Sequence, residues 1–74
     1  KAEDAESFVV RREEVISIYK ALHCLEEPYK EVFSLRTLGE LSFREIADIF
    51  EKSESWARVT YHRAKLQIRS MIKP

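Results

Sequence analysis

Only two residues in the interior of this chain are of the kind that breaks a helix. They are Pro28 and Gly39, in a sequence of 74 residues with one glycine and two prolines, the other proline being residue 74. No stretch alternates apolar and polar residues over the length a half-buried strand needs, whereas apolar residues recur at helical spacing throughout. At 45% hydrophobic and 35% charged, the composition is neither that of a disordered segment nor that of a collagen-like or low-complexity one. The expected fold is therefore a small all-α domain of four helices.

The first helix is predicted from about Glu6 to Leu25, with Val15, Ile18, Leu22 and Leu25 along one face. Residues 1–6 are acidic and rich in small side chains and read as a linker remnant, leaving 7–74 as the domain. A start at Lys1 rather than Met suggests a piece of something longer. Glu26-Glu27-Pro28 opens the second helix, because proline suits the first helical position and carboxylates suit the positive end of the helix dipole. Tyr29, Val32, Phe33 and Leu35 give it an apolar side, and Gly39 stands where a left-handed residue commonly ends a helix. Ser42-Phe43-Arg44-Glu45 has the spacing of a capping box, starting a third helix whose inner side is Ile46, Ala47, Ile49 and Phe50. Glu51-Lys52-Ser53 is a polar break, and Ser53 is placed to cap a last helix from about Glu54 to Met71. A short helix, a tight turn and a longer helix make helix-turn-helix spacing.

Several function classes drop out. A single cysteine, Cys24, excludes an internal disulfide framework. Two histidines and one cysteine are too few for a zinc site without several carboxylates, so no metal or cofactor is expected. The longest apolar run is three residues, Phe8 to Val10, against the ~20 of a membrane span, and there is no signal-peptide pattern. Ser7, Ser17 and Ser34 have no base beside them, and adjacent carboxylates such as Glu13-Glu14 diverge on a helix. His23 and Cys24 are read as structural. The expectation is a soluble, non-enzymatic domain from a reducing compartment, with no membrane insertion.

The last helix carries two stripes. Ala57, Tyr61, Ala64 and Ile68 share one face, and Arg58, His62, Lys65 and Arg69 repeat the spacing about 100° around the cylinder. Small Ala57 and Ala64 suit close packing on the third helix, with the cationic ridge pointing away and Arg63 adding to it from the side. The formal net charge of zero conceals this arrangement. Residues 1–51 hold seven basic and twelve acidic groups, and residues 52–74 hold six basic and one acidic. Local charge, not the chain average, governs phosphate neutralisation. A basic stripe alone is most often a solvated face; a capped short helix and a tight turn before it favour DNA contact. Trp56 lies between the stripes, open to a DNA-contacting or a core role.

Three segments then carry a family resemblance. Leu25-Glu26-Glu27-Pro28-Tyr29-Lys30-Glu31-Val32-Phe33, Leu41-Ser42-Phe43-Arg44-Glu45-Ile46-Ala47-Asp48-Ile49-Phe50 and His62-Arg63-Ala64-Lys65 together resemble region 4 of bacterial sigma factors. The extracytoplasmic-function group is the nearest in pattern, and the resemblance spans about residues 20–70. It implies an all-α helix-turn-helix of the winged-helix-like or sigma region 4 type, which binds the −35 promoter element in double-stranded DNA. The fourth helix would enter the major groove and the third would cross the backbone. Positions matching the family's DNA-facing residues are Ser55, Arg58, Val59, His62 and Arg63. Arg58 is expected at a base edge, where a guanidinium pairs with guanine O6 and N7, while Arg63 and Lys65 suit phosphates. Arg44 is placed to reach the backbone, and Ser53, as the cap, would direct amide donors at a phosphate.

The same resemblance implies docking on the β flap of RNA polymerase and control by an anti-sigma factor. Phe8, Val9 and Tyr29 are candidates for that surface, in a bacterial cytoplasmic domain that is monomeric when isolated. The chain also departs from the pattern. Glu51-Lys52-Ser53 replaces Gly-Ile-Ser, so either Glu51 takes the left-handed turn conformation or the turn changes shape. Trp56 replaces a small residue, and Val59-Thr60-Tyr61 replaces Ser-Arg-Leu. Val59 and Thr60 favour contact with thymine methyls over guanine pairing. Two rivals stand beside this reading. One is a LuxR-type output domain, disfavoured because such domains usually dimerise through a further helix and this chain ends with its fourth. The other is a protein-docking module whose basic stripe holds an acidic partner.

Overall fold

The computed structural model describes residues 2–72, with side chains for residues 12–72. Four helices follow in order: α1 (Ala2–Cys24), α2 (Tyr29–Thr37), α3 (Phe43–Phe50) and α4 (Glu54–Met71). Among the described residues there is no strand, and no helix is long and apolar enough to cross a membrane. The fold is the expected all-α one. α1 starts ahead of the expected Glu6, and Pro28 caps α2 rather than occupying its first turn. The Glu27 carboxylate accepts a hydrogen bond from the Glu31 amide at 3.0 Å, so the acidic opening of α2 acts through a side-chain cap.

α4 is the spine of the core. Its Ala64 and Ile68 meet Ala21, Leu22, Leu25 and Phe33, with Tyr29 and Tyr61 at the edge. Its Ala57 meets Val32, Ile46 and Ala47, surrounded by Leu35, Leu41, Phe43, Phe50 and Trp56. The two alanines therefore serve different neighbours. Ala57 lets α3 approach, as expected, whereas Ala64 admits α1 and α2. Tyr61 joins the two clusters, its ring stacked on Phe33 at 5.7 Å and tilted against Phe43 at 5.6 Å. Val32 and Ile46 are the largest side chains withdrawn completely from water among the described residues. Each such burial contributes about 1.5–3 kcal/mol.

Two expectations about the inner faces and one about the end of α2 need correction. Val15 and Ile18 do not join Leu22 and Leu25 in the core; with Ile16 and Tyr19 they are exposed. The buried part of α1 begins at Ala21, where α4 packs on it, and before that point Ile18 only borders an open hollow with Phe33, Lys65 and Ile68. Ile49 is 53% exposed, because the contact of the short α3 with its neighbours is already made by Ile46 and Ala47. Gly39 is not the left-handed residue after α2. That conformation belongs to Glu40, at φ 57°. Gly39 is needed for room instead, since a Cβ there would stand 2.8 Å from the Leu35 carbonyl oxygen. The Leu38 and Gly39 amides both donate to the Ser34 carbonyl and Leu41 donates to Leu35, which wraps the chain tightly around the end of α2.

Candidate nucleic-acid interface

The start of α3 is fixed by its own first turn. The Glu45 amide donates to Ser42 Oγ at 3.1 Å, and the Ser42 amide donates to Glu45 Oε1 at 2.8 Å, completing the capping box. The end of α3 sets the angle of α4. Glu51 adopts the left-handed conformation (φ 56°, ψ 45°), so the first of the two expected alternatives holds and the turn keeps its shape without glycine. The Lys52 amide donates to the Ala47 carbonyl and the Glu51 amide to that of Asp48, the paired bonds of a Schellman ending. Ser53 then caps α4, its Oγ accepting from the Trp56 amide at 3.0 Å.

Across α4 the burial is one-sided. Ala57, Thr60, Ala64 and Ile68 are buried and Tyr61 is half-buried, while Arg58, His62, Lys65 and Arg69 are exposed. Ser55, Arg58, Val59, His62 and Arg63 line one shallow, open depression on the outer side. These are the five positions expected to face DNA, and the fold brings them together. Other predicted residues stand apart. Arg44 is exposed on α3 and borders a separate groove with Glu45, Asp48, Lys52 and Glu54, where the charges are mixed. Lys65 is turned toward the α1 flank, where it borders a hollow with Ile18, Phe33 and Arg69, its ammonium 5.6 Å from the Tyr61 ring centre. Trp56 is half-buried against Phe50 at 5.1 Å, and packing in the corner between α3 and α4 accounts for its position. Thr60, only 5% exposed, belongs to the inner face, so the expected methyl contact is left to Val59 alone.

Two features escaped prediction from residue type. Arg36, at the end of α2, donates through Nη1 to the Leu41 carbonyl at 3.0 Å and lays its guanidinium 4.2 Å from the centre of the Phe43 ring. It thereby ties the connection between α2 and α3 to the residue that opens α3. On α4, Arg58 Nη2 is 3.0 Å from Glu54 Oε2, and the same guanidinium lies 5.2 Å from the Phe43 ring centre. The spacing of four between Glu54 and Arg58 is a readable signal for that pair. Nothing in the sequence signals the convergence of Arg36 and Arg58 on Phe43, because it depends on how α2 and α4 meet.

Four-helix architecture, a capped α3, a left-handed turn and an α4 with its cationic side outward are the parts of a DNA-binding helix-turn-helix. The chain matches no curated protein and no solved structure. Residues 16–68 match the family model described as sigma-70, region 4, which spans more than half of the sequence and both helices of the motif. The chain belongs to the sigma-70 region 4 family.

Proposed function

We propose that this domain reads the −35 promoter element for a sigma factor of the extracytoplasmic-function group, with α4 in the major groove. The observation that carries the proposal is the composition of the outer side of α4. Ser55, Arg58, Val59, His62 and Arg63 share one open depression opposite a packed inner face. Arginine and histidine donors, a hydroxyl and one apolar side chain are the groups that recognise base edges and methyls in that groove. Arg58, nearer the start of the helix, is assigned to a base. Arg63 and Lys65 are assigned to phosphates, as are Arg44 and the amides that Ser53 leaves free at the first turn. Trp56 packs against Phe50 in the corner between α3 and α4. The domain is taken as residues 7–74, monomeric when isolated and working in the bacterial cytoplasm.

A second surface favours a protein partner. Val15, Ile16, Ile18 and Tyr19 are exposed on α1, away from the depression on α4. Docking on the polymerase β flap or on an anti-sigma factor would use an apolar flank of this kind, so DNA contact and partner docking need not compete. Phe8 and Val9, expected to contribute, lie outside the residues with described side chains, and Tyr29 is half-buried at the edge of the core.

The test is a titration of promoter-like and scrambled labelled duplexes at several salt concentrations, repeated in holoenzyme. The promoter-like duplex should bind more tightly, with log affinity falling linearly against log salt. Arg63→Ala should reduce that slope by about 1 and weaken both duplexes alike. Failure to bind either duplex at low salt, alone and in holoenzyme, would rule the proposal out.

A further inference from the structure

Glu54 is the single acidic residue among residues 52–74, and it occupies the first turn of α4, on the helix assigned to DNA. A carboxylate there works against the phosphate assigned to the first-turn amides, so its presence needs a reason. Stability is one: a carboxylate in the first turn favours the positive end of the helix dipole, to which the exposed i,i+4 ion pair adds little. Its geometry offers another. Glu54 Oε2 holds Arg58 Nη2 at 3.0 Å, with both side chains about half exposed, while the Phe43 ring lies 5.2 Å from the same guanidinium. Carboxylate and ring restrain a long side chain that borders the open depression with Val59 and His62.

We infer that Glu54 is a positioning residue for sequence reading: it pre-orients Arg58 for one guanine and discourages Arg58 from settling on a phosphate. This rests on the reading of α4 as the recognition helix. Two physical effects act in the same direction. Restraining the guanidinium before binding removes rotamer freedom that would otherwise be lost on the DNA. A phosphate approaching Arg58 would come within a few ångströms of the Glu54 carboxylate, whereas guanine O6 and N7 carry no full charge. The forked donors of arginine match that guanine edge. Removing Glu54 should therefore trade specificity for general affinity, an outcome a purely structural role would not produce.

The test is selection from a pool of duplexes with a randomised central segment at low salt, with sequencing of the bound fraction. The proteins are the parent chain, Glu54→Gln, Glu54→Ala and Arg58→Ala, each first checked for helix content. The parent should enrich a guanine at one position, and Arg58→Ala should abolish that preference. Both Glu54 variants should weaken it about tenfold while binding the unselected pool as tightly as the parent or more tightly. If the Glu54 variants keep the guanine preference within about twofold, or Arg58→Ala leaves it intact, the inference is overturned though DNA reading stands. A parent that enriches no sequence, alone and in holoenzyme, overturns the underlying reading as well.

Discussion

Replacing Glu51 by glycine tests how the turn of the motif is held. Glu51 sits at φ 56°, ψ 45°, where an L-residue other than glycine pays roughly 1–2 kcal/mol in contact between its Cβ and the backbone. The Schellman bonds from Lys52 and Glu51 to the end of α3 are made by backbone amides and survive any side-chain change. Glycine would relieve the crowding and lose about 0.5–1 kcal/mol through the greater freedom of the unfolded chain. The expected net is a stabilisation of about 0.5–1 kcal/mol, or a melting midpoint about 2–8 °C higher for a domain of this size. Glu51→Ala keeps the strain and removes the charge, so it should stay within about 0.5 kcal/mol of the parent. Thermal melts of the three proteins, backed by urea titrations with a common slope, measure the difference directly. Equal midpoints for the glycine and alanine variants would refute the reasoning, since strain at that position would then be absent.

Other substitutions probe the remaining joints. Gly39→Ala should destabilise the domain by about 1–3 kcal/mol in urea unfolding, because its Cβ would meet the Leu35 carbonyl oxygen, which is backbone and cannot swing away. Ile46→Ala, emptying a completely buried site between α3 and α4, should cost about 2–5 kcal/mol by the same measurement. Ser42→Ala and Ser53→Ala should each cost about 1 kcal/mol through loss of a cap, read as a lower urea midpoint. Ser42→Ala should cost the more of the two, because it also disengages the reciprocal bond to Glu45.

The fold was legible wherever local chemistry decides it. The capping box at Ser42, the cap at Ser53 and the extent of α4 follow from side chains acting within one turn of themselves, and the structure contains each of them. Legibility ends where a residue's surroundings come from elsewhere. Val15 and Ile18 continue the stripe of Leu22 and Leu25, but a stripe states which side of a helix is apolar, not how far along it a partner extends. Gly39 invites a reading through its tolerance of positive φ. Its neighbour Glu40 takes that conformation, and the glycine answers to the nearness of the Leu35 carbonyl, which only the folded path of the chain reveals.

The site divides in the same way, and helical arithmetic explains much of the division. At about 100° per residue, Ser55, Arg58, Val59, His62 and Arg63 spread around a direction nearly opposite the centre of Ala57, Ala64 and Ile68. Thr60 falls about 60° from that inner centre, so its burial was already implicit in its number. Lys65 falls about 80° from the same centre, on the flank, and its place beside Ile18 and Phe33 agrees with that angle more than with membership of a single ridge. The cationic stripe is divided along the helix as well as around it: Arg58 and His62 border the outer depression in its first half, and Lys65 and Arg69 border the hollow beside Ile18 of α1 in its second. Net charge zero hid a basic helix, and the basic helix in turn hid the single carboxylate that holds Arg58. Each level of averaging concealed the arrangement below it, and base recognition depends on the lowest of these levels, the placement of individual donors.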